Sequence, residues 1–176
     1  MTKVIYSRSM PIYEADLPPK AGCYILFANS EGMQHLGLPQ ENGLSVLYVG
    51  KAEDSIRKRV LKTHLDPNRS GSSTLRRSLG AMLRKRLNLT PQPRSDNTED
   101  KKRFTNYKFD SGGEDKLTNW IRTHVFVMPV PSPNPKAVED QLIADLSPPL
   151  NLTNSTNPCK NMIKNKRKVC VLSAYF

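Results

Sequence analysis

The stretch Leu44 to Val60, LSVLYVGKAEDSIRKRV, starts as an apolar run, breaks at Tyr48-Val49-Gly50-Lys51 and continues as an amphipathic segment carrying Arg57, Lys58 and Arg59. A tyrosine, a glycine and a lysine stand where a strand becomes a helix, with three cations crowded behind them. Such a junction suits an anion. Taken singly, each polar residue has a plain structural explanation. Tyr24 and Tyr48 lie in strand-like runs, where tyrosine is common because its ring packs well. Glu139 and Arg59 lie in helical patterns, whose charged residues ordinarily face solvent. The whole chain extends the electrostatic theme: Lys and Arg number 27 against 16 acids, a formal charge of +11. A field of that sign favours polyanions, with nucleic acid as the default partner.

The elements that must position these residues follow from periodicity. Gly22 to Ala28, GCYILFA, reads as a buried strand after the turn signal Pro18-Pro19. Ser45 to Gly50 is a second strand, joined to the first by an elaborated loop. Asp54 or Ser55 caps a helix that turns Ile56, Val60 and Leu61 inward and ends near His64. Ser72 or Ser73 caps another, with Leu75, Leu79, Met82, Leu83 and Leu87 on one face and Arg76, Arg77, Arg84, Lys85 and Arg86 on the other. Residues 90–113 are rich in Pro, charge and small polar types and read as a long surface loop. A short helix then buries Leu117, Trp120 and Ile121, HVFVMPV is a third strand, and Ala137, Leu142, Ile143 and Leu146 trace a helical face that Pro148 and Pro149 terminate. The basic residues 152–176 take no assigned place.

The strand GCYILF, the strand-turn LYVGKA, the basic helix with Arg59 and the helix AVEDQLIADLSPPLN, with Glu139 twelve residues before Asn151, resemble in that order the motifs of the GIY-YIG nuclease family. The name-giving tripeptides stand here as Gly22-Cys23-Tyr24 and Tyr48-Val49-Gly50. The resemblance covers most of residues 22–151, interrupted by the loop after the first strand and by an insertion of about 66–123. It implies an α+β fold, a small three-stranded antiparallel sheet flanked by helices, in a single domain of 1–176 with a helical and loop insertion. Two departures stand out. Tyr48 to Arg59 is one residue longer than the common pattern, and His64 also follows its arginine one residue late, so the choice between Arg57 and Arg59 stays open.

The resemblance further implies a mechanism. Phosphodiester hydrolysis needs a deprotonated water in line with the scissile bond, positive charge on the phosphate oxygens and help for the departing 3′ oxygen. Glu139 would hold one Mg²⁺ (or Mn²⁺) per active site. Arg59 would bind the scissile phosphate through its planar fork. Tyr24 is expected as general base and Tyr48 as its water-positioning or phosphate-binding partner, with Lys51 lowering the phenol's pKa. His64 is a candidate phosphate ligand or proton donor, Asn151 and Gly50 are structural, and Arg57, Lys58, Arg76, Arg77, Arg84 and Lys85 are candidate DNA contacts.

The expected activity is a divalent-metal-dependent DNA endonuclease acting in restriction, defence or repair; the alternative is a nucleic-acid-binding protein whose nuclease site is vestigial. One site cuts one strand, so double-strand cleavage requires a dimer or sequential binding. The N-terminus is too polar for a signal peptide and no run is long enough to span a membrane, which places the protein in the cytoplasm, nucleoid-associated when bound to DNA. Cys23, Cys159 and Cys170 form no C-x-x-C pair, so a zinc site and a disulfide framework are not expected, and Cys23 reads as a small core residue.

Overall fold

A computed structural model describes residues 9–97, 99–102, 104–153 and 155–176. Its central sheet is antiparallel in the order β1-β6-β2-β3, from β1 (Met10–Pro11), β2 (Gly22–Asn29), β3 (Leu44–Ala52) and β6 (Val125–Pro131). The three expected strands are all present. The fourth, β1, is a two-residue edge piece held by Val127 and Phe126, too short to leave a periodic signal. Among the described residues six α-helices surround this sheet: α1 (Ser30–Leu36), α2 (Ile56–Arg59), α3 (Thr74–Leu87), α4 (Ser111–His124), α5 (Pro135–Leu146) and α6 (Lys160–Tyr175). The connection after β2, expected as a loop, thus contains α1, capped by the Asn29 side chain on the Gly32 N–H.

Strand β2 is buried on both faces because helices lie on both. Tyr24, Leu26 and Ala28 enter the larger core, and Ile25 and Phe27 pack with Val49 and with Ile143 of α5. On α5 only Ile143 of the four expected apolar residues is fully buried; Leu142 and Leu146 are half-buried, and Ala137 is exposed.

The region expected as a surface insertion enters the core at its two ends, while the stretch between them stays at the surface among the described residues. Residues 90–113 contain β4 (Pro91–Pro93) and β5 (Tyr107–Phe109), paired antiparallel, with residues 98 and 103 outside the described residues. Tyr107 and Phe109 are buried, and the Phe109 ring lies so close to Gly80 of α3 that a Cβ there would meet it at 2.2 Å. The C-terminal stretch is also structured: α6 buries Ile163 and Cys170 and packs on α3 and β4.

These coverings change the reading of α3. Its apolar face is as expected, with Leu75, Leu79, Met82 and Leu83 buried, yet Arg76 and Arg77 are buried as well. Neither faces solvent, which corrects their assignment as DNA contacts. The Arg76 guanidinium donates to Ser70 Oγ, the His64 carbonyl, Thr118 Oγ1 and the Glu114 carbonyl and carboxylate, the last at 2.6 Å. Glu114 in turn accepts from Ser70 Oγ and the Phe109 N–H. Burial pulls the guanidinium's pKa down and Glu114 opposes that pull.

Removing one member of a fully buried pair strands the other charge, which typically costs about 3–5 kcal/mol. Glu114→Gln is therefore expected to lower the urea unfolding free energy by about that amount, and Arg76→Met combined with Glu114→Leu to recover most of it. A Glu114→Gln loss below about 1 kcal/mol would show that the pair does not hold this region together.

Candidate active site

The register of β2 with β3 sets Tyr24 opposite Gly50 and Leu26 opposite Tyr48, so both tyrosine rings rise from one face, 6.5 Å apart. Gly50 is not at a turn, since β3 continues through Lys51 and Ala52. Its task is space: a Cβ at position 50 would stand 2.3 Å from the Tyr24 hydroxyl. The missing side chain lets the Tyr24 ring lie flat over the neighbouring strand.

Tyr24 is fully buried, and its hydroxyl meets His64 Nε2 at 2.6 Å. His64 is also buried, its Nδ1 lying 3.0 Å from Ser73 Oγ, the cap of α3. Burial first, then the charges of Arg59 and Arg76, push the His64 pKa down to about 3. Burial holds the Tyr24 phenol well above its usual value, with Arg59 opposing. A neutral imidazole donates at one nitrogen and accepts at the other, so Tyr24 and Ser73 take opposite roles toward it. The expected base therefore has its hydroxyl buried, bonded to His64 and also to the Arg59 guanidinium.

The turn that delivers His64 is a π-helical one, Val60–His64, directly after α2, closed by the Leu65 N–H on the Val60 carbonyl at 3.1 Å. A π turn accommodates one extra residue within a helix. The late position of His64 relative to Arg59 is absorbed there, and the imidazole still points inward.

Tyr48, only half-buried, faces a cleft of about 510 Å³ together with Lys51, Lys58, Arg59 and Glu139. The structure thus brings together five of the expected residues from β3, α2 and α5. Arg57 is directed elsewhere: it donates to the Leu17 carbonyl at 2.7 Å and pairs with Asp16 at 2.6 Å. Arg59, the open alternative, lines the cleft. Arg84, hydrogen-bonded to Ser173, and Lys85 line a separate groove between α3 and α6.

The electrostatics place the charges differently from expectation. Tyr48 is raised by burial, with Arg59 as the opposing charge and Glu139 reinforcing the rise. Lys51 instead pairs with Glu53 and opposes the rise that burial imposes on Glu139. Glu53, which sequence reasoning did not single out, lines the cleft beside Asp54. Asn151 performs its structural task at the free edge of β3, accepting from the Val49 N–H and donating to the Val49 carbonyl, both at 2.9 Å. The three cysteines are free; Cys23 is buried, donates to the Pro135 carbonyl and is pushed up to about 11 by burial.

A hard divalent cation fits this donor set. Glu139 offers a carboxylate whose charged form burial penalises, in an open cleft that also presents Glu53. Among the described residues Glu31, His35 and His124 form another group of ligand types, none of them in the cleft. His35 there already accepts from the Trp120 N–H and contacts Arg86.

A phenol, a guanidinium and a carboxylate thus line one cleft, in which Lys51, Lys58 and Arg59 are set among Glu53, Asp54 and Glu139. The GIY-YIG catalytic domain matches residues 22–170, and the chain belongs to that family. It is a nuclease-type enzyme, an endonuclease that hydrolyses phosphodiester bonds of a nucleic acid, in a family that generally uses divalent metal ions. No curated protein and no solved structure matches the chain. Among the described residues no helix is long and apolar enough to cross a membrane.

The neutral buried His64 makes stability pH-dependent. Its pKa is near 6.5 when unfolded and about 3 when folded, so the unfolded chain binds the extra proton between those values. The contribution is whole above about pH 6.5 and is lost as pH falls toward 3. Urea midpoints are expected to drop from pH 7 to pH 4, with a shallower decline in His64→Gln than in wild type. Parallel declines in the two proteins would remove His64 as the cause.

Proposed function

We propose that the protein is a divalent-metal-dependent DNA endonuclease in which Tyr48, not Tyr24, is the general base. The observation that carries this reading is the division between the two tyrosines. Tyr48 lines the cleft with Arg59 and Glu139, while the Tyr24 hydroxyl is buried against His64. A base must reach the water it deprotonates, and only Tyr48 has that access.

In this reading Arg59 binds the scissile phosphate and its charge also favours the Tyr48 phenolate. As the water oxygen bonds to phosphorus, its proton passes to the ionised Tyr48 oxygen, the bond to the 3′ oxygen breaks, and that oxygen takes a proton from solvent. Glu139 would hold Mg²⁺ or Mn²⁺; the chemistry such an ion supplies is positive charge that offsets the carboxylate's upward push on Tyr48 and meets the charge gathering on the phosphate. Lys51 tempers Glu139 through space, and Lys58 adds attraction at the cleft's exposed rim. Tyr24 and His64 are positioning residues that fix the floor beneath Tyr48.

Plasmid nicking with Mg²⁺ or Mn²⁺ against EDTA tests the activity, and single-turnover rates test the roles. Glu139→Gln is expected to abolish cleavage while retaining DNA binding. Tyr48→Phe should lose about 10² to 10⁴ in rate, the usual size of a general-base contribution. Because the Tyr48 pKa is raised, the wild-type rate should climb about tenfold per pH unit through the mildly alkaline range, provided chemistry is limiting. A Tyr48→Phe enzyme that keeps both rate and slope would return the role to another group. Metal-independent binding without any cleavage would instead support the vestigial alternative.

A further inference from the structure

A second cleft of about 360 Å³ adjoins the first, with Tyr48, Thr74, Lys136, Glu139, Asp140 and Arg167 in its lining. It shares Tyr48 and Glu139 with the first, and its lining sets Lys136 and Arg167 against Glu139 and Asp140. The cations of this second hollow are not equivalent. Lys136 is already paired with Asp140 one helical turn along α5. Arg167, half-buried on α6, has no carboxylate partner among the described residues.

Behind Thr74 lies Arg77, almost wholly buried, and it too lacks a carboxylate. It donates to the Ser70 and Gly71 carbonyls and to Thr74 Oγ1, and its Nε finds no acceptor. Burial and then the Arg167 charge pull the Arg77 pKa down to about 10. The Arg167 charge adds to the cost that burial imposes on Arg77, and an anion bound at Arg167 would offset it. A solvated charged face explains neither the burial of Arg77 nor its vacant Nε.

We infer that this hollow is a second phosphate subsite, in which Arg167 of α6, with Thr74 at its side, binds a backbone phosphate adjoining the scissile one on the same nucleic-acid strand. The inference rests on the nuclease reading of Tyr48 and Glu139. It makes the C-terminal helix part of the substrate channel. A phosphate there gives the strand a second anchor beside the one at Arg59, a contact that positions the backbone and adds affinity.

The test separates the subsite from the chemistry. Binding of a 30-base-pair duplex to the whole protein is measured by fluorescence anisotropy in EDTA across a salt series, for wild type, Arg167→Gln and Arg167→Lys. Losing one phosphate contact should shallow the log–log salt slope by about 0.9 in Arg167→Gln. Its affinity should fall about five- to tenfold near physiological salt, while Arg167→Lys keeps the wild-type slope. A scan with neutral methylphosphonates should find one position on the strand where wild type loses affinity and Arg167→Gln loses nothing more. Arg167→Gln should melt no lower than wild type, since it removes a like charge beside Arg77. An unchanged salt slope, a uniform methylphosphonate profile, or a melting temperature below wild type overturns the subsite. If wild type does not cleave but the slope and scan behave as stated, the subsite stands and the nuclease reading falls. Normal wild-type cleavage with unaltered Arg167→Gln binding gives the reverse.

Discussion

The arrangement depends first on keeping one buried charge satisfied. Arg76 lies entirely out of water, and a guanidinium there is tolerable only with a counter-charge and acceptors for its donors. Glu114 of α4 supplies the charge, and Ser70, His64 and Thr118 supply further acceptors. These acceptors come from the loop before α3, the π turn and α4, so the cluster fixes three chain segments at once. The His64 backbone is held by Arg76 and its ring by Ser73 and Tyr24, and this carries the constraint into the central sheet. A rigid floor under Tyr48 is the result.

The cations sort by whether a carboxylate meets them. Arg57 is tied to Asp16, Arg94 to Asp100, Lys136 to Asp140 and Lys51 to Glu53. Lys58, Arg59 and Arg167 are among the described cations without such a partner, and these three line the hollows beside Tyr48 and Glu139. Surface pairing contributes little to stability, so its distribution says more about where an outside anion is welcome.

Much of this was legible in the residues. The strands GCYILFA and SVLYVG, the Ser55 and Ser73 caps and the apolar stripe of α3 follow from periodicity and capping chemistry, and the structure has them in place. What escaped were facts of tertiary covering. Arg76 and Arg77 read as solvent-facing because a helix pattern cannot show that α4, β5 and α6 close over its polar side. Residues 90–113 read as a loop because their strands are three residues each, and their buried Tyr107 and Phe109 sit among charges. In the C-terminal stretch the spacing of Ile163 and Cys170, seven residues apart on one helical face, was the available signal. It would have found the helix, though not the cleft that Arg167 enters. The roles of Tyr24 and Tyr48 could not be divided without burial, since both are tyrosines in strands.

The spacing departures show how a site tolerates change in the chain that builds it. Between Arg59 and His64 an extra residue in an ordinary α-helix would rotate the imidazole by about 100°, away from Tyr24. The wider π turn takes up that residue instead and restores the phase, at the cost of weaker local hydrogen bonding. Such a turn persists only where tertiary contacts determine it. Here the imidazole is held at both nitrogens, and the carbonyl of the same residue accepts from Arg76. The buried network therefore selects the turn geometry, and the turn in turn leaves Arg59 free to face the cleft while His64 faces the core. One helical segment thereby serves two environments of opposite polarity, and the side on which each residue falls is set by the buried arginine behind it.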